Sequence, residues 1–227
     1  MIEGELLQSR SDPVAMPRTA ADSVHDLHAL LEAAEVPGPY VLVGHSYGGM
    51  LMRLFASTYP DEVMGMVLVD AFSEGLKAQM TAEQWTAYAA IFQPVPEALA
   101  GYSDLEFTDL DLSVSQVRDA TEASPLPPSP QSPGVPFPQS PGVPFPLVVL
   151  SRGRSMAMPA DLPGGLTGEG LERAWTVEQD RLAALLPGAR HVIAAESEHY
   201  IQLQQPELVI AAVRQVVDAV RDPTLPG

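Results

Sequence analysis

The chain has 227 residues, no cysteine and a formal net charge of −17, so disulfides, zinc–thiolate sites and a cysteine nucleophile are excluded. A surface this acidic repels phosphate backbones, and its 12 lysines and arginines are scattered, which argues against a nucleic-acid partner. With 46% hydrophobic residues and a mean hydropathy of +0.06, the profile is that of a globular protein of one domain with a small insertion. Met1 to Glu5 lack the basic and apolar regions of a secretory signal. No apolar run reaches the roughly 18 residues that a membrane span requires, so the expectation is a soluble, cytoplasmic protein. Thr19 with Asp22 three residues on predicts a capped helix start, with Val24, Leu27, Leu30, Leu31 and Ala34 at helical spacing before Pro37-Gly38-Pro39. Tyr40–Val43 is a short continuous apolar run, the pattern of a strand buried on both faces. A second apolar helix is predicted from Met50 to about Tyr59, and a second buried strand over Val63–Val69, closed by Asp70. Helix, strand, helix and strand with short connections predict a parallel sheet with crossover helices.

The pattern changes after Ser73. Thr81 with Gln84 predicts a capped helix carrying Trp85, Tyr88, Ile91 and Phe92, and Val114–Ala123 a further short helix. Residues 125–146 hold 10 of the chain's 23 prolines and include a tandem repeat, Gln131–Pro138 and Gln139–Pro146, both QSPGVPFP. Such a segment forms neither regular helix nor central strand and is expected to be a polyproline-like connector. The sheet pattern resumes with a strand over Leu147–Ser151, a helix over Glu169–Leu186 and a strand over His191–Ala195. The loop Glu196–His199 follows, and a helix opened by Pro206 closes the chain.

Gly44-His45-Ser46-Tyr47-Gly48 fits G-x-S-x-G, with an apolar strand leading in and an apolar helix leading out. A nucleophile elbow needs that context: small residues let the chain turn sharply, and the serine hydroxyl stands above the sheet edge. The helix start then places the Tyr47 N–H and a positive dipole where an oxyanion forms.

VLVGHSYGGMLMRLFASTYPDEVMGMVLVD resembles the fifth strand, elbow, helix and sixth strand of α/β-hydrolases. FPLVVLSRG and SEHYIQLQQPELVIAAV resemble the seventh strand and the histidine loop with its closing helix. The resemblance covers about residues 10–72 and 146–220. It implies a hydrolase core over 1–72 and 146–227, with a helical, proline-rich lid over 73–145. It also implies ester or related acyl chemistry through a Ser-His-acid triad, with no metal or organic cofactor. Ser46 is the expected nucleophile. Of five histidines, His25 and His28 are expected to be solvated and His45 structural, while His191 begins a strand. His199 sits in the histidine loop as the expected base. The strand ending Ser151-Arg152-Gly153 carries no carboxylate, so Asp70, at the end of VLVD, is the expected acid, with Asp161 second. Trp85, Tyr88 and Phe92 are candidates for an acyl pocket, although such a stripe is more often simply core.

Only 45 residues precede Ser46, too few for the four strands that precede the elbow in the family. The expectation is a partial sheet of about four strands, without the loop that supplies a second oxyanion donor, and weak activity or none. Tyr40–Val43 is then an exposed sheet edge, inviting homo-oligomerisation. The alternatives are a non-catalytic homologue or binding protein, and a cofactor-free lyase or peroxidase on the same scaffold.

Overall fold

The computed structural model describes residues 17–91, 109–124, 145–156 and 162–222. Helix α1 (Ala20–Ala33) starts at the expected cap: Thr19 accepts from the Asp22 amide, and the Asp22 carboxylate accepts from the Thr19 amide at 2.9 Å. A cap of this kind stabilises a helix by about 1 kcal/mol. Four strands follow, β1 (Tyr40–His45), β2 (Val63–Val69), β3 (Leu147–Arg152) and β4 (Arg190–Ala194). All four expected strands form, within a residue or two of their predicted bounds. They pair in parallel in the order β1-β2-β3-β4.

Helices cover both faces of this sheet, which explains why its strands read as unbroken apolar runs. Met66 and Leu68 of β2 face one layer, with Met50, Leu54 and Phe55 of α2 (Tyr47–Thr58) and with Leu171, Trp175 and Leu182 of α5 (Gly168–Ala183). Val67 and Val69 point the other way, against Ala212 and Val216 of α7 (Pro206–Arg221). This is the period-2 alternation of a strand. Complete burial of a side chain such as Phe55 contributes about 1.5–3 kcal/mol.

Helix α2 begins at Tyr47, three residues earlier than its apolar periodicity predicted. The two glycines that masked its start, Gly48 and Gly49, are helical, and close packing against Ala71 keeps the second of them small. Between β2 and β3, a 3-10 turn over Glu74–Gln79 precedes α3 (Ala82–Ile91) and α4 (Leu110–Ala123). The predicted start of α3 forms, with Thr81 and Gln84 bonded reciprocally. Leu76, Trp85, Tyr88, Val114 and Val117 belong to the same hydrophobic cluster as α2 and the sheet. The described helices of the expected lid therefore pack into the main core. Apart from Phe145 and Pro146, the proline-rich repeat lies outside the described residues.

Because every strand runs in one direction, the carboxyl ends of β1 to β4 form a single rim. His45 stands opposite Val69, Val69 opposite Leu150, and Arg152 opposite Ala194. Among the described residues β1 lies at the edge of the sheet, and its Val43 is 44% exposed.

Candidate active site

Ser46 joins β1 to α2 with φ 53° and ψ −127°, a backbone conformation that side-chain-bearing residues rarely adopt. The surroundings hold it there. Its amide donates to the Val69 carbonyl at 3.1 Å, and its own carbonyl accepts from Gly49 at 2.9 Å and Phe72 at 2.8 Å. Close approach explains two of the nearby glycines. A Cβ on Gly44 would meet the Gly48 carbonyl oxygen at 2.5 Å, and one on Gly49 would meet the Ala71 Cβ at 2.3 Å. Ser46 is partly exposed, and the first turn of α2 follows it directly, with the Tyr47 amide at its start.

Asp70 follows β2 at the same rim, with φ 40° and no exposed surface. Its carboxylate accepts four hydrogen bonds. Oδ2 is 2.6 Å from His199 Nδ1 and accepts from Arg152 Nη1 at 2.7 Å. Oδ1 accepts from the Trp175 indole N–H at 2.9 Å and from the Arg152 amide at 3.2 Å. Burial alone would raise its pKa, yet the His199 hydrogen bond, the Arg152 charge and the Trp175 bond hold it below the usual carboxylate range. An ionised carboxylate only accepts, so the proton in this contact lies on His199 Nδ1.

The loop bearing His199 is tied down at several points. His45, the residue before Ser46, donates from Nε2 to the His199 carbonyl at 2.8 Å, with the two rings 4.5 Å apart. Burial pushes the His45 pKa below the usual imidazole range, which keeps its ring neutral. Gln205 Oε1 accepts from the Glu196 amide and the Ser197 hydroxyl, and Gln204 Oε1 from the Glu198 amide. These glutamines end the short helix α6 (Ile201–Gln204) and precede α7. The Trp175 ring stands edge-on to His199, 5.7 Å away.

The structure thus brings Asp70 and His199 together beside the elbow that carries Ser46. Trp85 and Tyr88 lie elsewhere in the expected scheme. Each is 4% exposed within the core, and the Trp85 indole donates to Asp111 at 2.6 Å. Phe92 and Asp161 fall outside the described residues. His25 is exposed as expected. His28 is not simply solvated: it stacks on Tyr59 at 3.9 Å and its Nε2 lies 3.0 Å from a Glu62 carboxylate oxygen. The sequence reading missed Arg152, Trp175, Gln204 and Gln205. Arg152 stands where the family's acid was sought, at the end of β3, and that displacement was the available signal.

A model of the Alpha/beta hydrolase family matches residues 7–212. The chain belongs to this family. It is 32% identical over 226 residues to a probable transporter of Hormonema carpetanum, covering 89% of this chain and 32% of that relative. The chain therefore spans about a third of that relative's length. Among solved structures, a probable hydrolytic enzyme of Pseudomonas aeruginosa PAO1 superposes with a TM-score of 0.52 at 20% identity, over 90% of this chain and 71% of the other. A thermophilic esterase from Thermogutta terrifontis gives 0.50 at 18% identity, over 94% and 77%. These similarities carry the α/β-hydrolase fold: four parallel strands flanked by helices, with a strand–serine–helix turn at the rim. No described helix is long and apolar enough to cross a membrane.

Proposed function

We propose that the chain is a serine hydrolase acting on a carboxylic ester or related acyl substrate. Ser46 attacks the acyl carbon and forms an acyl-enzyme. His199 takes the hydroxyl proton on Nε2 and delivers it to the leaving alcohol. The same imidazole then activates a water that releases the acid. Asp70 keeps His199 in the productive tautomer and stabilises the imidazolium that forms in each step. The amide of Tyr47, at the positive end of α2, donates to the oxyanion.

The observation that carries this reading is the 2.6 Å contact between Asp70 and His199, beside a serine held at positive φ between a strand and a helix. Incidental glycine-rich turns do not assemble those three features at one rim. A fluorophosphonate probe tests it directly. Folded wild-type chain is expected to label at Ser46, and Ser46→Ala to lose both labelling and hydrolysis of p-nitrophenyl acetate. Absence of labelling from folded protein overturns the reading.

A second reading, a non-catalytic homologue or binding protein, is favoured by the position of β1. Among the described residues this strand lies at the sheet edge, and the Tyr47 amide is the single oxyanion donor proposed here. Loss of one such donor typically costs about 2.7–4 kcal/mol in transition-state stabilisation. Labelling without turnover distinguishes a poor hydrolase from a silent one.

A further inference from the structure

Arg152 is the charged group closest to the proposed acid, and the mechanism just given makes no use of it. Its side chain is 5% exposed. One face of its guanidinium lies over the Trp175 ring, 4.5 Å from the centroid. Nη1 donates to Asp70 at 2.7 Å and Nη2 to Glu172 at 2.9 Å, while the backbone amide of the same residue also donates to Asp70. A carboxylate offers about four lone-pair sites. Arg152 fills two of those on Asp70, Trp175 one, and His199 the last.

A wholly buried carboxylate is costly unless hydrogen bonds or a positive charge compensate it, and a cation within bonding distance is the stronger compensation. A neutral His199 brings none. Without Arg152, the cheapest compensation would be a proton on His199, and a base already protonated cannot accept one from Ser46. We infer that Arg152 is a positioning residue that clamps the Asp70 carboxylate, its guanidinium sharing Oδ2 with His199 and its backbone amide holding Oδ1, and supplies the counter-charge that leaves His199 free to act as base. This rests on the serine-hydrolase reading for its purpose, although the electrostatic coupling itself does not.

Among the described residues, the titratable groups around the imidazole are few. Asp70 faces it from the end of β2, Arg152 from the end of β3 shares Asp70 Oδ2 with it, and Glu172 of α5 faces Arg152. His45 lies beside it from β1 and is held neutral by burial. Tyr88 of α3 is buried, and that burial raises its pKa, keeping the hydroxyl protonated. The exposed Glu198 and Tyr200 flank it in its own loop. Removing Arg152 therefore leaves the Asp70 carboxylate as the dominant influence on the imidazole, which favours its charged form.

The test is a histidine-ring NMR titration of the intact chain, with His199 assigned by His199→Gln. Arg152→Met is expected to raise the His199 midpoint by about one pH unit, and Arg152→Lys, which keeps the charge, to restore it. Glu172→Gln, which leaves the guanidinium with Asp70 as its sole anionic partner among the described residues, is expected to lower it. A folded Arg152→Met chain with an unshifted midpoint overturns the inference, as does an equal rise in Arg152→Lys. Should Arg152→Met not fold, Glu172→Gln decides, and an unchanged midpoint there overturns it. A merely structural ion pair would lower the melting temperature and leave these midpoints alone. The titration needs no turnover, so it stands apart from the fluorophosphonate result that judges the hydrolase reading.

Discussion

Asp70 combines positive φ, complete burial and four hydrogen bonds. Asparagine keeps its shape and removes its charge. In Asp70→Asn the amide favours the other His199 tautomer, and kcat for ester hydrolysis is expected to fall on the order of 10⁴-fold, measured at pH 8 against wild type. The same charge makes a stability prediction. The folded carboxyl titrates below its ordinary value of 3.8, so its contribution is complete above that value and is lost as pH falls through the lower folded pKa. Urea melts should therefore show wild type more stable than Asp70→Asn at pH 7, with the gap closing as the pH falls below the ordinary carboxyl value of 3.8. A gap that widens on acidification would refute this. Asp70 was legible because it terminates an apolar strand run. Arg152 was not, since an arginine at a strand end reads equally well as a solvated one, and only the pairing of β2 with β3 sets it against Asp70.

At the scale of the element, the elbow makes unequal demands on its glycines. The motif marks Gly44 and Gly48, yet a Cβ on Gly48 meets nothing within 4 Å, while the unmarked Gly49 has Ala71 at 2.3 Å. Gly48→Ala is expected to leave stability unchanged or raise it by up to about 1 kcal/mol, the helix-propensity gain. Gly49→Ala forces α2 away from the loop that carries Asp70. It should cost about 1–3 kcal/mol and lower kcat together with the melting temperature. Thermal melts of the two variants side by side check the contrast, and equal effects would show that α2 is free to shift. The strands were legible because burial on both faces leaves uninterrupted apolar runs, as in Met66–Val69. The start of α2 was not, because its first turn is written in two glycines, and the role of Gly49 depends on Ala71, a residue outside the helix. The core membership of Trp85 and Tyr88 was likewise hidden, since an aromatic stripe carries no record of whether a pocket or a helix faces it.

For the whole molecule, the net charge of −17 acts on every approaching ligand before the site does. The charge was legible from composition, while its consequence depends on the rim being the point of entry. Field lines from a surface this acidic raise the local concentration of cations and deplete anions, and the effect reaches about 30 Å at 0.01 M salt but only about 10 Å at 0.1 M. An ester that carries a carboxylate should therefore lose kcat/KM relative to a neutral ester of the same acyl length, on the order of tenfold at low ionic strength. Adding salt should narrow that ratio, through KM rather than kcat, because screening alters encounter and leaves the chemistry at Ser46 untouched. Arg152 offers an anionic substrate little relief, since its guanidinium is already divided between Asp70 and Glu172. Steady-state kinetics with p-nitrophenyl butyrate and the p-nitrophenyl half-ester of succinic acid, both four-carbon acyl groups, from about 10 to about 300 mM sodium chloride, measure the ratio. A ratio independent of salt would mean that a local positive feature at the site entrance, and not the acidic surface, governs approach.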